Sequence, residues 1–99
     1  MRIISRAKLR DFWETPKFSD AEQSLKAWYD EAKHANWRST QDINAQYRNA
    51  SFVANNRVVF NVHGNNYRLV VAVKYESSIL FIRFIGTHKQ YDEIDASTI

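Results

Sequence analysis

From residue 51 onward the chain alternates apolar and polar residues between three reversals, and that pattern constrains the fold more than any other feature. Asn55-Asn56 and Gly64-Asn65 tolerate the positive φ of two-residue hairpins, and Glu76-Ser77 supplies a third turn. The spacing predicts strands over about 51–54, 57–63, 66–75 and 78–85, joined as an antiparallel meander. A turn at 64–65 pairs Val58 with Val71, Phe60 with Leu69 and Val62 with Tyr67. A turn at 76–77 pairs Val73 with Leu80, Val71 with Ile82 and Leu69 with Phe84. Every partner is apolar, so this face is the expected core. A slip of one residue would carry Arg83 into it, which specifies the register.

The opposite face follows from the same register. It collects Arg57, Asn61, His63, Asn66, Arg68, Lys74 and Arg83, with Val59, Val70, Ala72, Ile79, Phe81 and Ile85 between them. Asn61 lies across from Arg68, and Arg83 lies across from Val70, one diagonal step away. The whole chain has a net charge of only +3, yet residues 43–91 carry six basic side chains against a single acid, Glu76. A solvated sheet face would mix Lys with Glu. A cationic face without carboxylates fits a polyanion, with phosphates on the arginines and bases stacked on Phe81 or a tyrosine.

The N-terminal half follows a helical period instead. Ser5 is placed to cap a helix bearing Leu9, Phe12 and Trp13 on one side, which Pro16 ends. Ser19 and Glu22 read as a capping box before Ala21, Leu25, Trp28, Ala32 and Ala35, an amphipathic helix reaching about His34. His34 is expected to complement the helix C-terminus. Ser39 or Thr40 opens a shorter third helix, with Ile43 and Tyr47 inward and Arg48-Asn49 at its exit. Arg2-Ile3-Ile4 is a candidate edge strand. The expectation is one α+β domain over residues 1–99, with two to three helices packed on one face of an antiparallel meander sheet and a short N-terminal strand.

Composition narrows the chemistry. Without cysteine there are no disulfides and no thiolate metal sites. His34, His63 and His88 match no ligand spacing, so no metal or other cofactor is expected. P-loop, dinucleotide and nucleophile-elbow motifs are missing. No apolar run approaches the ~20 residues of a membrane span, and the opening MRIISRAKLR carries charges where a signal peptide needs an apolar core. A cytoplasmic location without a membrane partner is expected.

The last strand exits through Gly86 into Thr87, His88, Lys89 and Tyr91. An imidazole titrating near neutrality can move protons, and a phenol can orient a hydroxyl. Taken alone, these residues leave three readings open: a nuclease, a non-catalytic RNA- or ribosome-binding module, and a protein-interaction domain for an acidic partner.

The segments Tyr47-Arg48-Asn49-Ala50, Asn55 to Asn61, Asn66-Tyr67-Arg68-Leu69-Val70 and Phe81 to Asp92, with Ile3-Ile4-Ser5-Arg6 and Trp28-Tyr29, carry a family resemblance. The chain resembles HigB-type toxins of bacterial toxin–antitoxin systems, within the RelE-like superfamily of mRNA-cleaving toxins. The resemblance implies an endoribonuclease that cuts mRNA on the ribosome and inhibits translation. It also implies inhibition by a HigA-type helix-turn-helix antitoxin, with operator DNA met only through that antitoxin. The implied chemistry is metal-free attack of a 2′-hydroxyl on its own phosphate. On that basis Arg68 and Arg83 are assigned to the phosphate, His88 to proton transfer and Tyr91 to its orientation. Arg48, Arg57, Asn61, Lys74 and Lys89 are assigned to holding RNA. Arg68 and Tyr91 stand on motif positions of the family; the rest of the catalytic set varies across the superfamily.

Overall fold

The computed structural model of the chain describes residues 1–99. β1 (Arg2–Ile4) leads into α1 (Ala7–Glu14), a 3-10 stretch (Pro16–Ala21), α2 (Glu22–His34) and α3 (Thr40–Gln46). The strands β2 (Ser51–Val53), β3 (Arg57–Val62), β4 (Tyr67–Lys74) and β5 (Ile79–Thr87) follow, and α4 (His88–Asp92) closes the series. Strand order is β1-β5-β4-β3-β2. The four hairpin-linked strands are antiparallel, while β1 lies parallel to β5 and makes the sheet mixed. Tight hairpins force antiparallel pairing; β1 reaches β5 only through the intervening chain and is free of that constraint.

The core lies between the helices and one sheet face, with Leu9, Leu25, Ile43, Phe60, Leu69 and Leu80 all essentially without solvent contact. Trp28, Trp37 and Tyr47 surround the Phe60 ring, with centroids 5.4, 6.1 and 5.2 Å from it. The period of α2 is as read, but its start is not. Residues 16–21 wind directly into it and Ala21 is already helical, so Ser19 caps nothing and Glu22 pairs with Lys26 at 2.5 Å. Ser5 also caps nothing; it sits at φ 72 in the turn between β1 and α1. Ser39 does cap α3, accepting from the Asp42 amide at 3.4 Å. At the C-terminus of α2, His34 Nδ1 lies 2.9 Å from the Asp30 carbonyl. The Met1 amino nitrogen donates to the carbonyls of Ala32, Lys33 and Ala35 there, satisfying oxygens that a helix end leaves orphaned.

Between β3 and β4 every expected pair forms. Their loop spans residues 63–66, with positive φ at His63 and Gly64. The β2–β3 pairing of Val53 with Arg57 leaves a three-residue loop, Ala54 to Asn56, rather than two, with Asn55 and Asn56 both left-handed. Between β4 and β5 the expected register holds through Val71–Ile82 and then breaks at a bulge. Arg83 is the extra residue, so Val70 faces Phe84, and Leu69 faces Ile85 instead of Phe84. Beyond the bulge the two apolar side chains exchange faces: Ile85 packs on the helix side and Phe84 on the other.

A candidate RNA-cleavage site at the hairpin end of the sheet

The register places Asn61, Arg68 and Gly86 side by side across β3, β4 and β5. Arg68 is half-buried, and its Nη1 donates to the carbonyls of Asn65 and Tyr67 at 3.0 and 3.2 Å. Those bonds turn the guanidinium toward the 63–66 hairpin and leave its other N–H groups without a protein acceptor. Asn61 Nδ2 donates to Asn65 Oδ1 at 3.4 Å, which leaves the Asn61 amide oxygen free. Lys26 is the one Lys or Arg, of fourteen, with an Asp or Glu carboxylate within 4 Å. Apart from Arg57, whose guanidinium is held by main-chain oxygens, the cationic residues of the sheet have no carboxylate beside them, as an anion-binding surface requires.

Beyond Gly86 the chain turns at once into α4 through a capping box. Thr87 Oγ1 accepts from the Gln90 amide at 3.1 Å, and Gln90 Oε1 accepts from the Thr87 amide at 2.8 Å. Gly86 is needed because a Cβ there would lie 2.6 Å from both Gln90 Oε1 and the Phe84 ring. The box folds α4 back over the sheet and sets Tyr91 against Val59, Val70 and Ala96. His88 is exposed at the start of α4, with Nδ1 3.5 Å from Asp92 Oδ2. That contact holds one ring nitrogen and leaves Nε2 for exchange with a ligand. Asp92 was missed as a candidate in the sequence, although its i,i+4 spacing from His88 is the available signal. Lys89 is exposed on the same short helix.

The other candidates are distributed differently. Arg83 is exposed on the bulge with its guanidinium 5.5 Å from the Phe81 ring centroid, pointing away from the hairpin end to which Arg68 turns. The two arginines thus share a face without converging. Lys74 stands six residues from Arg68 on β4, about 20 Å along the strand. Arg57 lies at that far end too and is engaged: Nε donates to the main-chain oxygen of Ile99 at 2.9 Å, and Nη1 to the Asn55 carbonyl at 2.9 Å. His63 does not lie on the cationic face. Its ring stacks on Tyr67, and Nε2 lies 3.6 Å from Asp20, which also accepts from the Tyr67 phenol. Arg48 emerges from α3 beside Asn61, across the free edge of β3.

The face opposite the helices is also less open than alternation alone suggests. Residues 93–99 cross it, with Ala96 sealing Val59 and Val70, and Asn55 Nδ2 donating to the Ser97 carbonyl at 2.8 Å. Hydrogen bonds from the Ser97 side chain and amide hold the Asp95 carboxyl below the usual carboxylate range and fix the turn in this segment. Arg83 and Lys74 stay exposed apart from one another, and the accessible groups that cluster are at the hairpin end: Asn61, Arg68, the start of α4 and Arg48.

The family model for HigB toxin, the RelE-like toxic component of a toxin–antitoxin system, matches residues 21–94. This chain belongs to the HigB toxin family. The matched residues run from the start of α2 through α4 and include every member of the candidate site. Among curated HigB proteins, the mRNA interferase toxin HigB of Escherichia coli (strain K12) is 53% identical over 34 residues. The mRNA interferases HigB of Escherichia coli O157:H7 and of Shigella flexneri match to the same extent. The match spans 34% of this chain and 33% of each relative's length.

Proposed function

We propose that this HigB-family toxin is an endoribonuclease that cuts mRNA on the ribosome and is neutralised by a HigA-type helix-turn-helix antitoxin. The observation that carries the reading is the partly unsatisfied Arg68 guanidinium beside Asn61, at the sheet end from which α4 presents His88 with Asp92 behind it. The mRNA interferase names of the relatives support the same chemistry.

In this reading the scissile phosphate lies on Arg68, with the Asn61 amide beside it. The 2′-oxygen attacks the adjacent phosphorus while His88 Nε2 takes its proton. The bond to the 5′-oxygen breaks, that oxygen takes a proton from water while His88 later returns its own to solvent, and the products are a 2′,3′-cyclic phosphate and a 5′-hydroxyl. Asp92 steadies the imidazolium that forms. The guanidinium stabilises the extra charge of the phosphorane, an effect typically worth 10²–10³ in rate per fixed donor. Tyr91 buttresses α4 against the sheet and so sets the height of His88 above Arg68. Arg48 and Lys89 hold flanking phosphates. Arg83, displaced by the bulge, contacts RNA farther from the cut, and Lys74 farther still. Arg57 acts through the 93–99 segment instead of on RNA.

The test is end-group analysis of RNA exposed to the purified protein and to translating extract. Arg68→Ala and His88→Ala should each lower the yield of 2′,3′-cyclic ends by 10²-fold or more, and the antitoxin should suppress cleavage by the native chain. Unchanged cleavage in both variants would remove this assignment of roles, and RNA binding without new ends would favour the non-catalytic reading.

A further inference from the structure

The chain carries a second recognition element next to Arg68, at the free edge of β3. β2 pairs with β3 only from Arg57 to Val59, so Phe60 to Val62 have no strand on that side. In an antiparallel strand the main-chain N–H and C=O groups of alternate residues point to opposite edges. At least one residue of this stretch therefore aims both groups outward. A cleft of about 250 Å³ opens there, between this edge and the end of α3. Its apolar wall is the half-buried Tyr47 with Ala50, backed by the buried Phe60 ring packed edge-on to Tyr47 at 5.2 Å. Arg48, Asn49 and Asn61 form its polar rim.

The wall is fixed rather than adaptable. Trp37 packs against both Tyr47 and Phe60, and its Nε1 donates to Gln46 Oε1 at 3.1 Å. Gln46 Nε2 in turn donates to Glu31 Oε2 at 3.3 Å, which ties the end of α3 to α2. The Arg48 and Asn49 side chains, by contrast, make no hydrogen bond or ion pair within the protein, and Arg48 is exposed. The cleft is smaller than the ~300–1,000 Å³ of sites that enclose drug-sized ligands. It combines an aromatic wall, an amide with both donor and acceptor, an open main-chain edge and a cation. Those are the groups that read one flat heterocycle carrying a phosphate: base edges bond to amides and backbone, and the π-face packs on aromatics.

We infer that the cleft between the end of α3 and the free edge of β3 is a nucleobase subsite, taking one base of single-stranded RNA next to the scissile phosphate. Adjacent strands lie about 5 Å apart, and Asn61 belongs both to the cleft rim and to the pair with Arg68. The base bound here is therefore that of a nucleotide neighbouring the one on Arg68, with Arg48 on the following phosphate. Asn49 is the specificity-determining residue, through its amide. The inference rests on the RNA-cleavage reading of the Arg68 site and adds where, and through which residue, sequence preference arises.

Two measurements decide it. Amide resonances are followed by NMR while the full chain is titrated with 2′-O-methyl tetraribonucleotides of A, C, G or U, which lack the attacking hydroxyl. Shifts at residues 46–50 and 60–64 are expected, with affinities that differ between the four bases, and Asn49→Ala should level those differences. Cleavage positions are then mapped in a randomised RNA pool. Asn49→Ala should reduce the preference at one position flanking the cut by about tenfold and leave preferences at other positions in place. Tetranucleotide shifts confined to Arg68 and α4, or an unchanged cleavage pattern in Asn49→Ala, would overturn the subsite while leaving the nuclease intact. Binding at the cleft by a chain that cuts no RNA would do the reverse. A chain that neither binds nor cuts loses both readings.

Discussion

Gly86→Ala is the sharpest test of how α4 is held over the sheet. The added methyl would sit 2.6 Å from Gln90 Oε1, 2.6 Å from Phe84 Cζ and 3.2 Å from Phe84 Cε1. Both neighbours can move, but each loses something. Gln90 would give up its bond to the Thr87 amide, one half of the capping box, worth about 0.5–1.5 kcal/mol. Phe84 would leave its packing against Val59 and Val70, and overpacking of this kind costs about 1–3 kcal/mol. A stiffer unfolded chain returns about 0.4–1 kcal/mol. The balance is a destabilisation of roughly 1–3 kcal/mol, and each kcal/mol lowers Tm by about 4–8 °C in a domain of this size. Urea unfolding of the variant, alone and with Phe84→Leu, measures it. The double variant should recover part of the loss, since the smaller side chain vacates the methyl's position; that non-additivity is the signature of contact. On the role proposed for His88, RNA cleavage should fall in Gly86→Ala at temperatures where the protein is still folded, because His88 is displaced with α4. A variant as stable as the native chain, or a penalty unaffected by Phe84→Leu, refutes the packing argument.

Other outcomes follow from single groups. The Tyr47 phenol is buried without a hydrogen-bond partner, and burial, with the Glu31 charge nearby, holds it in its neutral form far above the usual phenol range. Tyr47→Phe should leave stability unchanged or raise it by about 1 kcal/mol in urea titrations, since an orphan polar atom is removed. The Tyr67 phenol, which donates to Asp20 and is further raised by burial, titrates at about 12 instead of about 10. A raised folded pKa means that stability from this group is whole below pH 10 and is lost as pH climbs through 12. Because Asp20 is half exposed, the loss is on the order of 1 kcal/mol, read as the extra decline of the native chain over Tyr67→Phe between pH 9 and 11.5. Arg57→Ala should speed hydrogen exchange at residues 93–99 by tenfold or more while leaving β4 protected; equal protection of the segment would mean that its apolar contacts alone hold it.

Much of this molecule is written in its periodicities. The alternation on either side of Gly64-Asn65 gave every pair of β3 and β4, because a one-residue slip would bury Arg68 and expose Phe60. The stripe of Leu25, Trp28 and Ala32 likewise defined α2. The pairing of Asn61 with Arg68, the centre of the candidate site, follows from that register. Other features depend on contacts between residues far apart in the chain. The bulge at Arg83 is invisible to a period-2 pattern, because Phe84 and Ile85 are both apolar and either can face the core. Gly86 accommodates the bulge, leaving room for Phe84 and Gln90 where a Cβ would lie 2.6 Å from each. Residues 93–99 cover Val59 and Val70 and take up Arg57, since alternation assigns a residue to a face but cannot say what lies above it. His63 joins Asp20 and Tyr67 because the hairpin loop gives it a left-handed backbone that turns its ring to the helix side. Local sequence thus determined the strands, their register and which cations share a surface. Tertiary packing decided which of those cations remain exposed and without a partner.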